Sequence, residues 1–310
     1  MKMKSVHHPE LSIRIGKMEL KNPVIVASGT FGYGQEFENF MDLSQLGAII
    51  PKGISLNPMQ GNPPPRIFET NGGILNSIGL QNPGLQVFIK EKLPYLKKIK
   101  TNLIINFFGK TQAEYVELAR RLDSLDGISG LEMNISCPNV KQGGIIFGSD
   151  SKMTYRLVSE VKKSIRRPLI VKLSPNVTDI TVIARSAEEG GADAVSLINT
   201  FKAMAINIHT KKPELGNVTG GLSGPAIKPI ALRMVWEVSR AVKIPVIGMG
   251  GIMKAEDAIE FMLAGASAIQ IGTANLIRPM TGIEVINGIK KYLIQTKMDQ
   301  IQSLIGFFKA

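Results

Sequence analysis

The chain holds one cysteine, Cys137, in the stretch "LEMNISCPNVKQGG" from Leu131 to Gly144, with Asn134 and Asn139 on either side of it. A thiol has an ordinary pKa of about 8.5 and becomes a base or a nucleophile where nearby positive charge lowers it. A lone cysteine is more often an inert, buried filler, so its surroundings decide. Two lysines, Lys52 in "PKG" and Lys172 in "VKLSPN", end short apolar runs. A lysine is costly to bury unless it faces an anion. Either one alone reads equally well as a rim residue, but the pair favours convergence on a bound anion. Asparagines offer donors and acceptors together, which suits a neutral, amide-rich ligand. "GMGGI" (Gly248 to Ile252) and "IGTA" (Ile271 to Ala274) supply glycine turns whose backbone N–H groups can approach a phosphate closely.

These groups need a frame that brings them together. Eight short apolar runs recur: "NPVIVAS", "GAIIPKG", "NLIINFFG", "GLEMNIS", "PLIVKLS", "DAVSLINT", "IPVIGMGG" and "SAIQIGT". Runs of this length read as buried parallel strands. Between them lie amphipathic stretches such as "TQAEYVELARRLDSL", with Thr111 as N-cap, and "DITVIARSAEEGG", closing on Gly190 and Gly191. "EGGADAVSLINT" and "LAGASAIQIGT" resemble one another, a weak internal repeat. The alternation predicts an α/β fold, a (β/α)8 TIM barrel, as one domain over residues 1–310. No GxGxxG opens the first helix, which weakens a doubly wound sheet. The long Pro-, Gly- and Asn-rich segment from Ser55 to Pro83 predicts an inserted loop or small subdomain region between strands two and three. In a barrel the chemistry sits on the loops after the strand C-termini, with phosphate sites after strands seven and eight. Ser28, Lys52, Asn106, Asn134, Cys137, Lys172, Asn199, Thr200, Gly250, Gly251, Gly272 and Thr273 all fall there.

Composition narrows the class. A chain of 310 residues, 44% hydrophobic and 20% charged, has the apolar mass for a full core. One cysteine excludes an intrachain disulfide and a Cys-ligated iron–sulfur cluster held by this chain alone. The polar N-terminus "MKMKSVHHPE" has no apolar core of a secretory signal, and no window reaches the roughly 18 apolar residues of a membrane span. A cytoplasmic protein with no membrane association is expected. The formal charge of +12 attracts anions. Aromatics are only 6%, without the stacking pattern of nucleic-acid binders, so no nucleic-acid partner is expected. His7 and His8 lack further ligand candidates nearby, and no metal site is expected. These residues alone define a barrel enzyme with a phosphate-bearing ligand, a cationic anchor and a possible thiol base; they do not name the reaction.

The strings "NISCPNVKQGG", "LNSIGLQNPG" (Leu75 to Gly84), "VKLSPNV", "TGGLSGPAIKP" (Thr219 to Pro229) and "IGMGGI" together closely resemble the dihydroorotate dehydrogenase family, from about Lys21 to Asn275. The cysteine in "SCPN" resembles the soluble class 1; the membrane-attached class 2 has a serine there. "NVKQGGIIFG" and "IGLQNPG" resemble the NAD-linked class 1B more than the fumarate-linked class 1A. The resemblance implies oxidation of (S)-dihydroorotate to orotate in pyrimidine biosynthesis, with one FMN per chain. It implies a partner subunit carrying FAD and an iron–sulfur cluster that passes electrons to NAD, in a homodimer or heterotetramer. It implies that Cys137 removes the C5 proton while hydride passes from C6 to FMN. Lys52, Asn76, Ser77, Ile78, Gly79, Leu80, Asn134, Asn139, Asn199 and Thr200 are then the substrate contacts. Ser28, Lys52, Gly53, Asn106, Asn134, Lys172 and Ile198 line the flavin, and Gly224, Gly250, Gly251, Gly272 and Thr273 hold its phosphate. The alternatives are the fumarate-linked class 1A enzyme or an FMN enzyme resembling dihydropyrimidine dehydrogenase. Phe107 and Phe108 in "INFFGKTQAEY" stand where smaller residues are common in the family, a change that could reshape the third loop. The tail after Asn275 matches only loosely.

Overall fold

The computed structural model describes residues 8–135, 141–142 and 145–308. Each of the eight apolar runs contains one strand of a closed barrel: Val24–Val26, Ala48–Ile49, Asn102–Phe107, Gly130–Asn134, Leu169–Lys172, Ala194–Leu197, Val246–Met249 and Ala268–Ile271. We number them one to eight. Every neighbouring pair is parallel, and strand eight closes on strand one through Ile269 opposite Val24. All eight C-termini therefore open on one face, so the strand-end residues share one mouth.

Six helices cover the barrel: Gln112–Asp123, Ser151–Lys163, Ile180–Glu189, Lys228–Ala241, Ala255–Leu263 and Thr281–Thr296. The first begins at Thr111, whose hydroxyl accepts from the Glu114 N–H at 3.2 Å, a standard N-cap. The third ends at Gly190, and Gly191 follows with φ of 94°, a conformation suited to glycine. After strand one the described chain forms short 3-10 turns at Gln35–Phe37 and Leu43–Gln45. After strand two it forms a helical stretch that runs through a π-helical segment, Phe88–Lys92.

The hairpin Ile13–Ile15 and Met18–Leu20 lies against the strand N-termini. Glu19 C=O accepts from the Asn102 side chain at 2.9 Å, and a Cβ on Gly130 would come within 2.7 Å of the Met18 sulfur. The Ser55–Pro83 segment carries a hairpin of its own, Ile67–Thr70 with Gly73–Asn76. It is not self-contained. Gly73–Asn76 pairs with Thr219–Ser223, which pairs in turn with Phe201–Met204. The small sheet is thus four-stranded and antiparallel, and half of it comes from the loop after strand six. Buried Asn82 ties the ends of the segment: its amide donates to Ser55 Oγ at 2.8 Å and its Oδ1 accepts from Gly84 N–H at 2.9 Å.

Phe107 and Phe108 are core residues. Both are buried, and the Phe107 ring meets Tyr115 edge-on at 6.1 Å. No described helix is long and apolar enough to cross a membrane.

Candidate active site

The barrel mouth gathers most of the expected residues, and their partners lie in the barrel interior. Asn106, Asn134 and Lys172 lie on strands three, four and five, and Lys172 is in register with both Asn134 and Ser196. All three are buried. Lys172 Nζ lies 3.5 Å from Ser28 Oγ and 3.9 Å from Glu132 Oε1. Asn106 donates to the same Oε1 at 2.7 Å. Gly53 lies directly against Asn106, since a Cβ there would come within 2.5 Å of Asn106 Oδ1. The Ile54 N–H to Asn106 C=O bond of 3.0 Å extends strand two and fixes that approach.

Lys52 is half-buried beside Gly53. Burial pulls its pKa below the ordinary 10.5, the Arg66 guanidinium pulls the same way, and Glu36 opposes them. A cation held at such a cost is a ready partner for an anion. Arg66 is fixed by the inserted segment: its guanidinium donates to Asn62 C=O at 2.5 Å and to Gln81 Oε1 at 2.8 Å.

A second group lies at the ends of strands six to eight. Gly224, Gly250 and Gly251 have φ of 101°, 123° and 77°, where a side chain is strained. They are packed together. A Cβ on Gly251 would lie 3.0 Å from Gly224 C=O, and one on Gly250 would lie 3.4 Å from Ile198. A Cβ on Gly224 would lie 3.6 Å from the Thr273 methyl. The Thr273 hydroxyl donates to Ser223 Oγ at 2.9 Å. Gly272 is the roomier member, with only Ala27 near its missing Cβ, at 3.9 Å. Lys228, the first residue of the helix Lys228–Ala241, donates to Asp257 at 2.7 Å and to Glu260 at 3.0 Å. Asp257 Oδ2 also accepts from the Met253 and Lys254 N–H groups. The glycine turn is therefore held from behind by an acidic anchor.

The remaining expected residues fall into two sets. Asn76 and Thr200 meet at Gly221: Asn76 donates to its C=O at 3.1 Å, and a Cβ there would come within 2.0 Å of the Thr200 hydroxyl oxygen. Asn199 Oδ1 accepts from the Thr200 N–H at 2.8 Å. Ser77, Ile78 and Gly79 wrap around Asn62 within the inserted segment, through bonds of 2.9 Å to Ser77 Oγ and 3.1 Å to Ile78 C=O. Leu80 has φ of 58° and its C=O accepts from Asn82. These four are positioned through the segment's own hydrogen bonds. Cys137 and Asn139 lie outside the described residues.

Sequence reasoning missed Glu132, Ser196 and Gln270, three fully buried polar residues in the barrel interior. The available signal was a polar side chain in the middle of an apolar strand, as in "GLEMN", "AVSL" and "AIQI". It also missed Gly221, Ser223 and Arg66, which only long-range contacts bring to the mouth.

The dihydroorotate dehydrogenase family model matches residues 10–296. The chain belongs to the dihydroorotate dehydrogenase family. It is 56% identical over 301 residues to a protein of Thermodesulfovibrio yellowstonii, covering 97% of this chain and 99% of that one. It is 54% identical over 301 residues to a protein of Citrifermentans bemidjiense, with the same coverage. A third relative, from Geotalea uraniireducens, is 56% identical over 298 residues, 96% of this chain and 98% of that one. Each of the three is named "Dihydroorotate dehydrogenase B (NAD(+)), catalytic subunit". The matched length of 298 to 301 residues takes in the whole barrel. The dihydroorotate dehydrogenase match also extends to Thr296, past the Asn275 limit of the motif resemblance.

Proposed function

We propose that this chain is a catalytic subunit that oxidises (S)-dihydroorotate to orotate in pyrimidine biosynthesis, holding FMN at the barrel mouth and passing electrons to NAD through a partner subunit that carries FAD and an iron–sulfur cluster. The observation that carries the reading is that Asn106, Asn134 and Lys172 lie at the ends of strands of the same closed parallel barrel whose later loops carry the positive-φ glycines, in a chain that matches the relatives named above over 97% of its length.

The residues present fit a flavin mononucleotide. A phosphate needs backbone N–H groups that it can approach closely. Gly224, Gly250 and Gly251, each at positive φ and each too tightly packed on Gly73, Ala231 or Lys228 to carry a Cβ, let the turns take a form that bulkier residues could not, and Gly272 has open space beside it. Gly272 and Thr273 complete the cradle. Lys172, with Ser28, Gly53, Asn106 and Ile198, supplies a cation and amide groups for the polar edge of the ring. When bound, FMN supplies the two-electron acceptor for the hydride that leaves C6 of the substrate.

The chain's own groups do the rest. Cys137 is the base that takes the C5 proton, a role worth roughly 10²–10⁴-fold in rate. Asn76, Ser77, Ile78, Gly79, Leu80, Asn134, Asn139, Asn199 and Thr200 orient the pyrimidine through its amide edges. Lys52 holds the substrate carboxylate and also faces the flavin. Its lowered pKa favours that role, because an incoming anion restores the charge that burial disfavours.

Anaerobic stopped-flow absorbance of the purified chain mixed with dihydroorotate tests the reading. Fast bleaching of the flavin band is the expected result. A yellow protein that dihydroorotate leaves yellow would point to another substrate, and a colourless one would sink the reading.

A further inference from the structure

Glu132 has no place in the chemistry above, yet four polar side chains converge on its carboxylate. It is fully buried on strand four. Its Oε1 accepts from Asn106 at 2.7 Å and faces Lys172 Nζ at 3.9 Å. Its Oε2 accepts from Ser196 Oγ at 2.9 Å and from Gln270 Nε2 at 2.6 Å. Strands three, five, six and eight thus all point a polar group at one carboxylate. A buried ion pair is weak evidence of stabilisation, because desolvation offsets the attraction, and apolar residues of like volume often do as well. Barrel interiors are ordinarily filled by branched apolar side chains. A carboxylate here calls for an explanation other than packing.

Two of its partners, Asn106 and Lys172, are flavin-lining residues in the function proposed above, on which this inference rests. We propose that Glu132 is a positioning residue that fixes the tips of Asn106 and Lys172 and sets the reduction potential of the bound flavin as the counter-charge behind Lys172. Two-electron reduction with uptake of one proton adds one negative charge to the flavin ring. Lys172 favours that charge and Glu132 opposes it. At distances of a few ångströms in a water-poor interior, one unit charge is felt strongly. Gln270 tempers the carboxylate. Its amide donates to Glu132, while its own Oε1 is buried with no hydrogen-bond partner among the described residues. An unpaired buried acceptor is costly, and here it accompanies the aiming of the amide N–H at Glu132.

The test is the midpoint potential of bound FMN, by anaerobic dye equilibration, in the full chain and two variants. Glu132→Gln keeps the shape and removes the charge. It should favour reduced over oxidised flavin by about tenfold, a rise of about 30 mV for a two-electron couple. Gln270→Met removes a donor and leaves the carboxylate less compensated, so the potential should fall. Opposite shifts support the proposal. FMN retained with unchanged potentials, or with both moved the same way, overturns it. Should Glu132→Gln fail to fold, Gln270→Met alone decides: a fall supports the counter-charge and an unchanged potential refutes it. A wild-type chain that binds no FMN would instead refute the function proposed above, and this inference with it.

Discussion

Cys137 and Lys52 are both candidates legible from their neighbours in sequence, but only the fold shows what surrounds Lys52. Cys137→Ser is expected to retain FMN and lose about 10²–10⁴-fold in the rate of flavin bleaching near neutral pH, because a serine hydroxyl is a far poorer base. Unchanged bleaching would reduce Cys137 to filler. Lys52 makes a prediction about pH. Its folded pKa lies below 10.5, chiefly from burial and next from Arg66. Between that lowered value and 10.5 the unfolded chain binds the proton more tightly, so this group makes stability rise with pH across that window. Lys228 acts with the opposite sign. Burial alone would lower its pKa, but hydrogen bonds to Asp257 and Glu260 hold it above 10.5, so its contribution is lost only as pH climbs through that raised value. Denaturant unfolding at stepped alkaline pH should therefore show a shallower rise in Lys52→Met than in wild type. Equal slopes would place Lys52 in ordinary solvent.

At the scale of elements, the turns after strands six and seven and the connection before strand five carry the sharpest expectations. Gly251 has φ of 77°, and a Cβ there would meet Lys228 Cβ at 2.7 Å and Gly224 C=O at 3.0 Å. The left-handed conformation alone costs an ordinary residue about 1–2 kcal/mol. Gly251→Ala should weaken FMN binding by about tenfold or more, since 1.4 kcal/mol is a factor of ten. Fluorescence titration of the flavin-free chain with FMN reads this directly, and unaltered affinity would remove Gly251 from the phosphate cradle. Arg167 anchors the entry to strand five. Its guanidinium donates to the C=O groups of Asp123 at 3.1 Å, Leu125 at 2.6 Å and Ile128. Arg167→Ala should cost about 2–4 kcal/mol of stability, as several bonds from a charged donor are lost and water replaces only some of them. Urea unfolding checks it, and a loss within a few tenths of a kcal/mol would show those carbonyls to be well hydrated.

For the whole molecule, the decisive question is where the electrons go. The chain has a single cysteine and so holds no cysteine-ligated cluster of its own. Purified alone, it should bleach with dihydroorotate yet form NADH only once the proposed FAD and iron–sulfur subunit is added. Absorbance at the NADH band follows both states. Rapid NADH formation by the isolated chain would exclude the need for a partner, and turnover with fumarate instead would mark the single-subunit branch.

The sequence alone determined the eight strands, the helices capped at Thr111 and closed at Gly190, and the row of strand-end lysines, asparagines and glycines. Those features are local: an apolar run of strand length, a cap or a glycine turn is set by neighbours a few residues away. The tertiary structure decided what is non-local. Only barrel closure turns Glu132, Ser196 and Gln270, 138 residues apart at the extremes, toward one another. Only the antiparallel pairing of Gly73–Asn76 with Thr219–Ser223 makes the inserted segment and the loop after strand six a single sheet. A polar residue inside an apolar strand signals a buried partner, but which partner depends on register around the barrel. That register is fixed by the packing of all eight strands together.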